Sequence, residues 1–149
     1  MLMYPGREGD SQPMVREIVH DPVFLSQKSA EATAEDLAVA EDLLDTLKAH
    51  LDHCVGLAAN MIGCRKRIIA FCNGPFLAVM FNPVIISRSG EYEAEEGCLS
   101  LEGKRKTKRY SSIVVSWQDA KMKKHTGTLD GFAAQVVQHE TDHCDGILI

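Results

Sequence analysis

An α+β fold is predicted by three features of the sequence. Apolar residues recur at helical spacing early in the chain, and short β-branched runs fill its middle. His139-Glu140-Thr141-Asp142-His143 then closes it on a second helical stretch. Runs joined this closely pair mostly antiparallel, because parallel neighbours need long crossovers. Strands grouped between helices, without a repeated strand-helix alternation, define α+β. The 149 residues are expected to form one domain, 1–149, around a single core, with the strands packed around the C-terminal helix.

Residues 1–13, polar and containing Pro5, Gly6 and Gly9, read as a loosely held arm. His20-Asp21-Pro22 interrupts the next segment. Residues 30–53 read as a helix: Thr33 and Asp36 make a capping-box start, and Leu37, Ala40, Leu44, Leu47 and Leu51 form its buried stripe. His50 and His53, near its end, read as surface or cap histidines. Strands are expected at 67–71, 76–81, 84–87 and 113–117, with Asn73-Gly74-Pro75 as a turn and Asn82-Pro83 as a break. A second helix is expected over about 130–144, stopped by Gly146.

Composition narrows the class. Hydrophobic residues at 45% and charged residues at 25% are ordinary globular values. No apolar run approaches the length of a membrane span, and the start lacks the apolar centre of a secretory signal, so the cytoplasm is the expected location. Five cysteines (Cys54, Cys64, Cys72, Cys98, Cys144) form no C-x-x-C pair and are odd in number, which argues for thiols kept reduced or bound to metal. A net charge of −5 argues against dedicated nucleic-acid binding. The basic run Lys104-Arg105-Lys106-Thr107-Lys108-Arg109 reads first as a solvated strand or loop, and second as a positive rim for a peptide carboxylate or ribosomal RNA.

Chemistry concentrates at the end of the chain. Residues four apart share a helical face, so His139 and His143 can present two imidazoles to one divalent ion. Glu140, beside the first histidine, can take a proton from a metal-bound water. A catalytic site of this kind takes three protein ligands and leaves a position for water. Cys144 follows His143 directly and points about 100° away around the helix. The third ligand is therefore sought upstream, among Cys54, Cys64, Cys72, Cys98, His125 and the glutamates at 91–96. Cys98 ranks first, since Gly97 permits an unusual backbone and Glu95 and Glu96 favour a cation; His125 follows three lysines and ranks low.

Gly56-Leu57-Ala58-Ala59, Glu96-Gly97-Cys98-Leu99-Ser100 and Gln138-His139-Glu140-Thr141-Asp142-His143 occur in the order of the three signature motifs of peptide deformylases. From about Met14 to its end the chain resembles that family, whose members remove the formyl group from the initiator methionine of nascent proteins. The resemblance implies a peptide-deformylase-like α+β fold. It also implies Cys98, His139 and His143 as ligands of one divalent metal, with Fe2+ in the cell and Zn2+, Ni2+ or Co2+ able to occupy the site. Glu140 becomes the general base and acid, and the N–H of Leu99 a donor to the tetrahedral oxyanion. Phe132 and Val136, on the face of His139, would line a methionine pocket with Val55 opposite. Gly56 would offer main-chain hydrogen bonds to an extended peptide, and Arg105 would meet a peptide carbonyl or carboxylate. The implied partner is an N-formyl-methionyl peptide or nascent chain, with ribosome proximity and no membrane.

One position departs from the family pattern. The first motif normally continues to a glutamine whose amide donates to the oxyanion, and here Met61 stands there. A thioether has no proton to donate. Losing one such donor typically lowers turnover on the order of a hundred- to a thousandfold. The expected activity is therefore deformylation at a reduced rate. The alternative is a relative that binds metal and N-terminal peptides without catalysis, or one that hydrolyses another N-acyl amide.

Overall fold

Five strands run as one antiparallel meander in the order β1-β2-β3-β4-β5: β1 (Gly56–Ala58), β2 (Ile68–Asn73), β3 (Phe76–Cys98), β4 (Leu101–Gln118) and β5 (Lys124–Asp130). Among the described residues three α-helices accompany them: α1 (Pro22–Leu25), α2 (Leu37–Ala49) and α3 (Gly131–Cys144). This is a computed structural model, and it describes residues 14–149. The arm expected over 1–13 lies outside the described residues.

The expected helix over 30–53 is shorter at both ends. Ala30 forms an isolated bridge with Lys66, and Thr33 starts a 3-10 turn, Ala34–Asp36, through the predicted capping box. The Asp36 carboxylate accepts from the Thr33 N–H at 2.8 Å. Helix α2 ends at Ala49, and the His50 N–H returns to the Leu47 carbonyl. Ala40, Leu43, Leu44 and Leu47 are buried, whereas Leu37 and Leu51, the outer positions of the expected stripe, are 38% and 45% exposed.

The predicted break at Asn82-Pro83 is a bulge inside one long strand. Pairing with β4 shifts register between Phe81 and Val84, and Asn82 takes φ +51°. Its side chain accepts from the Ala32 N–H at 2.7 Å and donates to the Ala32 carbonyl at 2.9 Å and to Gln118 Oε1 at 2.8 Å. The proline thus costs no ladder bond that the bulge would have kept. β4 likewise extends well beyond the predicted 113–117, and takes in the whole basic run. β1 and β5 carry no apolar-run signal: β1 is three residues long, and β5 alternates exposed and half-buried residues.

Ile68, Ile69, Ala70 and Phe71 of β2 are all fully buried, so both faces of this strand are covered, and α2 and α3 both pack against it. Gln138 locks α3 to β4: its amide accepts from the Tyr110 N–H at 3.0 Å and donates to the Tyr110 carbonyl at 2.8 Å. The helix stops where Gly146, at φ +76°, turns the chain. A side chain there would meet the Ser26 carbonyl oxygen at 2.5 Å. No helix among the described residues is long and apolar enough to cross a membrane.

Candidate active site

A cleft of about 220 Å³ opens where α3 faces the start of β1 and the end of β3. Its walls include Val55, Gly56, Cys98, Leu99, Phe132, Val136, His139 and Glu140, so eight of the predicted site residues share one hollow. Val136 is buried, while Val55 and Phe132 stand more open at 40% and 59% exposure. Gly56 is tightly enclosed: a Cβ there would lie 2.7 Å from Val136 Cγ1 and 3.0 Å from Glu140 Oε2. The motif glycine is needed because β1 runs directly against the catalytic face of α3.

The ligand atoms of Cys98, His139 and His143 all lie within 4.8 Å of one another. Each imidazole is oriented from its far side. His139 Nδ1–H donates to Glu96 Oε1 at 2.8 Å, which directs Nε2 towards the thiol. His143 Nε2–H donates to the Ile149 carbonyl at 2.9 Å, and its Nδ1 lies 2.9 Å from Glu140 Oε1. Carboxylate and carbonyl partners of this kind fix tautomer and ring plane in metal-binding histidines.

Electrostatics separate Cys98 from the other thiols. Burial alone would raise it, but hydrogen bonds with His139 and His143, and the charge of His143, bring it down to about 6. Burial opposes charge on His139 too, yet Cys98 and Glu96 hold its pKa up at about 9. Cys54 lines the same cleft and behaves in the opposite way. Burial pushes it up to about 12, and its S–H donates to the Gly56 carbonyl at 2.9 Å. A thiol held ionised between two imidazoles, at this spacing, suits a single divalent ion with N and S donors.

Arg109, Gln135 and Asp142, none of them expected at the site from the sequence, complete it around Glu96. Glu96 accepts from Arg109 Nη2 at 2.7 Å and from Gln135 Nε2 at 2.8 Å, and Arg109 Nη1 donates to Asp142 Oδ2 at 2.7 Å. Burial would raise the Glu96 carboxyl, but the bonds from His139, Arg109 and Gln135 outweigh it and hold it at about 2. Arg109 was legible in principle. Along β4, Lys104, Lys106 and Lys108 are exposed, whereas Arg105, Thr107 and Arg109 turn inward, and Arg109 is 4% exposed. The basic run is therefore two faces of a strand. Lys106 and Lys108 pair with Glu93 and Glu91 on the outer one, at 3.8 and 3.2 Å.

Three predicted residues are not among the cleft walls: His143, which meets Cys98 and His139 beside them, Arg105 and Met61. Arg105 donates to the Glu102 carbonyl at 3.1 Å, capping its own loop. Met61 sits in a buried 3-10 turn, Ala59–Ile62, where its sulfur accepts from the Ala58 N–H at 3.5 Å. It lines a small second cavity bordered by Cys98 and His143.

An antiparallel sheet holding a helix whose histidines meet a strand thiol beside a buried carboxylate is the layout of a metal-dependent hydrolase. Residues 15–149 match the family model for polypeptide deformylase. The peptide deformylase of Clostridium beijerinckii is 54% identical over 136 residues, covering 91% of this chain and all of that one. That of Dictyoglomus thermophilum is 40% identical, with 91% of each chain covered. A class I type b peptide deformylase from Acinetobacter baumannii, solved with Met-Ala-Ser bound, superposes with a TM-score of 0.80 at 27% identity, covering 90% of this chain and 96% of that one. The chain belongs to the polypeptide deformylase family. It is a hydrolase that removes the N-formyl group from nascent peptides, with a divalent metal as cofactor.

Proposed function

We propose that Cys98, His139 and His143 hold the metal, that Glu140 moves the proton, and that the cleft over them takes the formyl-methionyl end of a nascent chain. The observation that carries this reading is the gathering of one thiol and two imidazoles within 4.8 Å of one another beside a cleft walled by Cys98, His139 and Glu140. Fe2+ is the ion proposed in the cell, with Zn2+, Ni2+ or Co2+ as substitutes. A divalent cation there supplies Lewis acidity, lowering the pKa of a bound water and polarising the formyl oxygen.

The chain's own groups do the rest. Glu140, 3% exposed, accepts the proton of the attacking water and returns it to the departing amine. The Leu99 N–H donates to the developing oxyanion. Val55, Phe132 and Val136 hold the methionine side chain, and Gly56 gives the peptide a main-chain partner in strand-addition style. Arg105 meets the peptide further along. The Acinetobacter relative's bound Met-Ala-Ser is the kind of product such a cleft releases. One domain would act alone, in the cytoplasm and close to the ribosome, where formylated chains emerge.

Anaerobically prepared protein is expected to release formate from a formyl-methionyl peptide. Glu140→Ala should lower turnover by at least a hundredfold while leaving one metal per chain. Met61→Gln, which restores an amide donor beside Cys98 and His143, should raise turnover at least tenfold. Absence of formate from both the natural protein and Met61→Gln would refute the reading.

A further inference from the structure

Cys98 and His143 also border a cavity of about 10 Å³, roughly the room one water-sized sphere occupies. Asn60 and Ser100 line it, and they are 1% and 4% exposed. The Asn60 amide nitrogen donates to the His143 carbonyl at 3.0 Å. A carbonyl only accepts, so that contact fixes the amide orientation and leaves Oδ1 as the second atom. Neither Asn60 Oδ1 nor Ser100 Oγ has a hydrogen-bond partner among the described residues. The remaining wall is apolar, with Leu25, Met61, Leu101 and Ile147 contributing no donor suited to either atom. A buried polar atom left unpaired destabilises by about 1–3 kcal/mol, and two of them on residues that line one cavity of this size call for a shared partner.

We propose that one buried water binds in this cavity and bridges Asn60 Oδ1, Ser100 Oγ and the Cys98 sulfur. The hydrogen-bond count closes. The water accepts from the Ser100 hydroxyl and donates one O–H to Asn60 Oδ1. Its second O–H is left for Cys98, which lines the same cavity. A hydrogen bond to the sulfur draws electron density from it and weakens its donation to a cation. Asn60, one residue from the altered Met61, is thus a positioning residue: it ties the turn at 59–62 to the end of α3 and anchors the water beneath the thiolate.

The share given to the sulfur rests on the ligand set proposed above, and the experiment separates the two. A high-resolution crystal structure of the zinc-loaded protein should show one ordered water within hydrogen-bond distance of Asn60 Oδ1 and Ser100 Oγ. Ser100→Val, which fills the space, should remove it and lower the Tm. In the cobalt-loaded protein the same substitution should move the thiolate-to-cobalt charge-transfer band to longer wavelength, because the sulfur becomes the stronger donor. Ser100→Ala should shift the band in the same direction. A dry cavity overturns the proposal, as does a Ser100→Val variant with a raised Tm and an unmoved band. If no thiolate band forms in any variant, the ligand set is overturned, and the density alone then decides the water.

Discussion

Gly56 shows how narrowly the reacting groups are held. An added methyl would press on Val136 Cγ1 at 2.7 Å and on Glu140 Oε2 at 3.0 Å. The valine is branched at Cβ and lies on the buried face of α3, so it has little freedom to yield. Gly56→Ala is therefore expected to push β1 and α3 apart by a fraction of an ångström. Overpacking of this kind destabilises by about 1–3 kcal/mol. Displacement of a catalytic group on the scale of an ångström lowers turnover on the order of a hundredfold. Steady-state kinetics and urea midpoints should show both losses, and Val136→Ala in the same chain should restore part of the turnover. If the double variant is as slow as Gly56→Ala alone, crowding at Val136 is not the cause. At this scale the sequence was highly informative, because motif residues carry their chemistry in their identity. Cys98 could be ranked above four other thiols from Gly97 and its acidic neighbours. What orients the His139 imidazole could not be ranked, since Glu96 is itself held by Arg109, thirteen residues on, and by Gln135 of α3, thirty-nine residues on.

Asn82 carries the corresponding lesson for whole elements. A side-chain amide inside a strand makes three bonds that hold β3 to the segment before α2 and to the end of β4. Asn82→Ala should destabilise by roughly 2–4 kcal/mol, combining lost hydrogen bonds with an alanine held at positive φ. Asn82→Gly relieves only the backbone part and should recover about 1 kcal/mol of that loss. Urea midpoints of the two variants measure the difference; equal midpoints would mean that the left-handed conformation contributes nothing. The same residue explains a misread boundary. Asn-Pro is a sound turn signal locally, but the amide finds better partners in Ala32 and Gln118 than a turn would offer, and the strand continues through a bulge. The two helices and the central strands were legible because their faces are buried and periodic. β1 and β5 were not, for the residues of β5 alternate between solvent and a half-covered face, and β1 has too few residues to show a period. The basic run is the solvated strand expected for its lysines, and only Arg109 departs from that reading. Counting its charges hid the two-residue alternation that sends Arg109 inward and leaves the lysines outside.

Across the whole molecule, Glu96 of β3, Arg109 of β4 and His139 of α3, with the half-buried Asp142, form one chain of charges that closes the sheet onto the metal-binding helix. Its members set opposite limits of pH. The Glu96 carboxyl falls from 4.5 to about 2 in the folded protein. A depressed carboxyl stabilises fully above its unfolded value, and that contribution disappears as pH falls from about 4.5 towards 2. The shift corresponds to something on the order of 3 kcal/mol. His139 moves the other way, from 6.5 to about 9, so its contribution is fully present below 6.5 and is lost as pH rises through about 9. The depressed Cys98 thiol, at about 6, gains stability as pH rises towards 9 and offsets part of that loss, while His143, raised to about 10, adds to it. Metal-free protein should therefore be most stable from about pH 4.5 to near 6.5. Urea midpoints measured from pH 3 to 10 should fall on both sides of that window. Glu96→Gln should lower the plateau and flatten the acid side by up to about 1.4 kcal/mol per pH unit, the slope of a single proton. It should also flatten the alkaline side, because the raised His139 depends partly on Glu96. Zinc should erase the alkaline loss in the natural protein, since binding takes the imidazole neutral and stabilises the fold most where protons compete least. An acid limb of equal slope in Glu96→Gln would place the acid sensitivity outside this network, among the exposed carboxylates of the β3–β4 ladder.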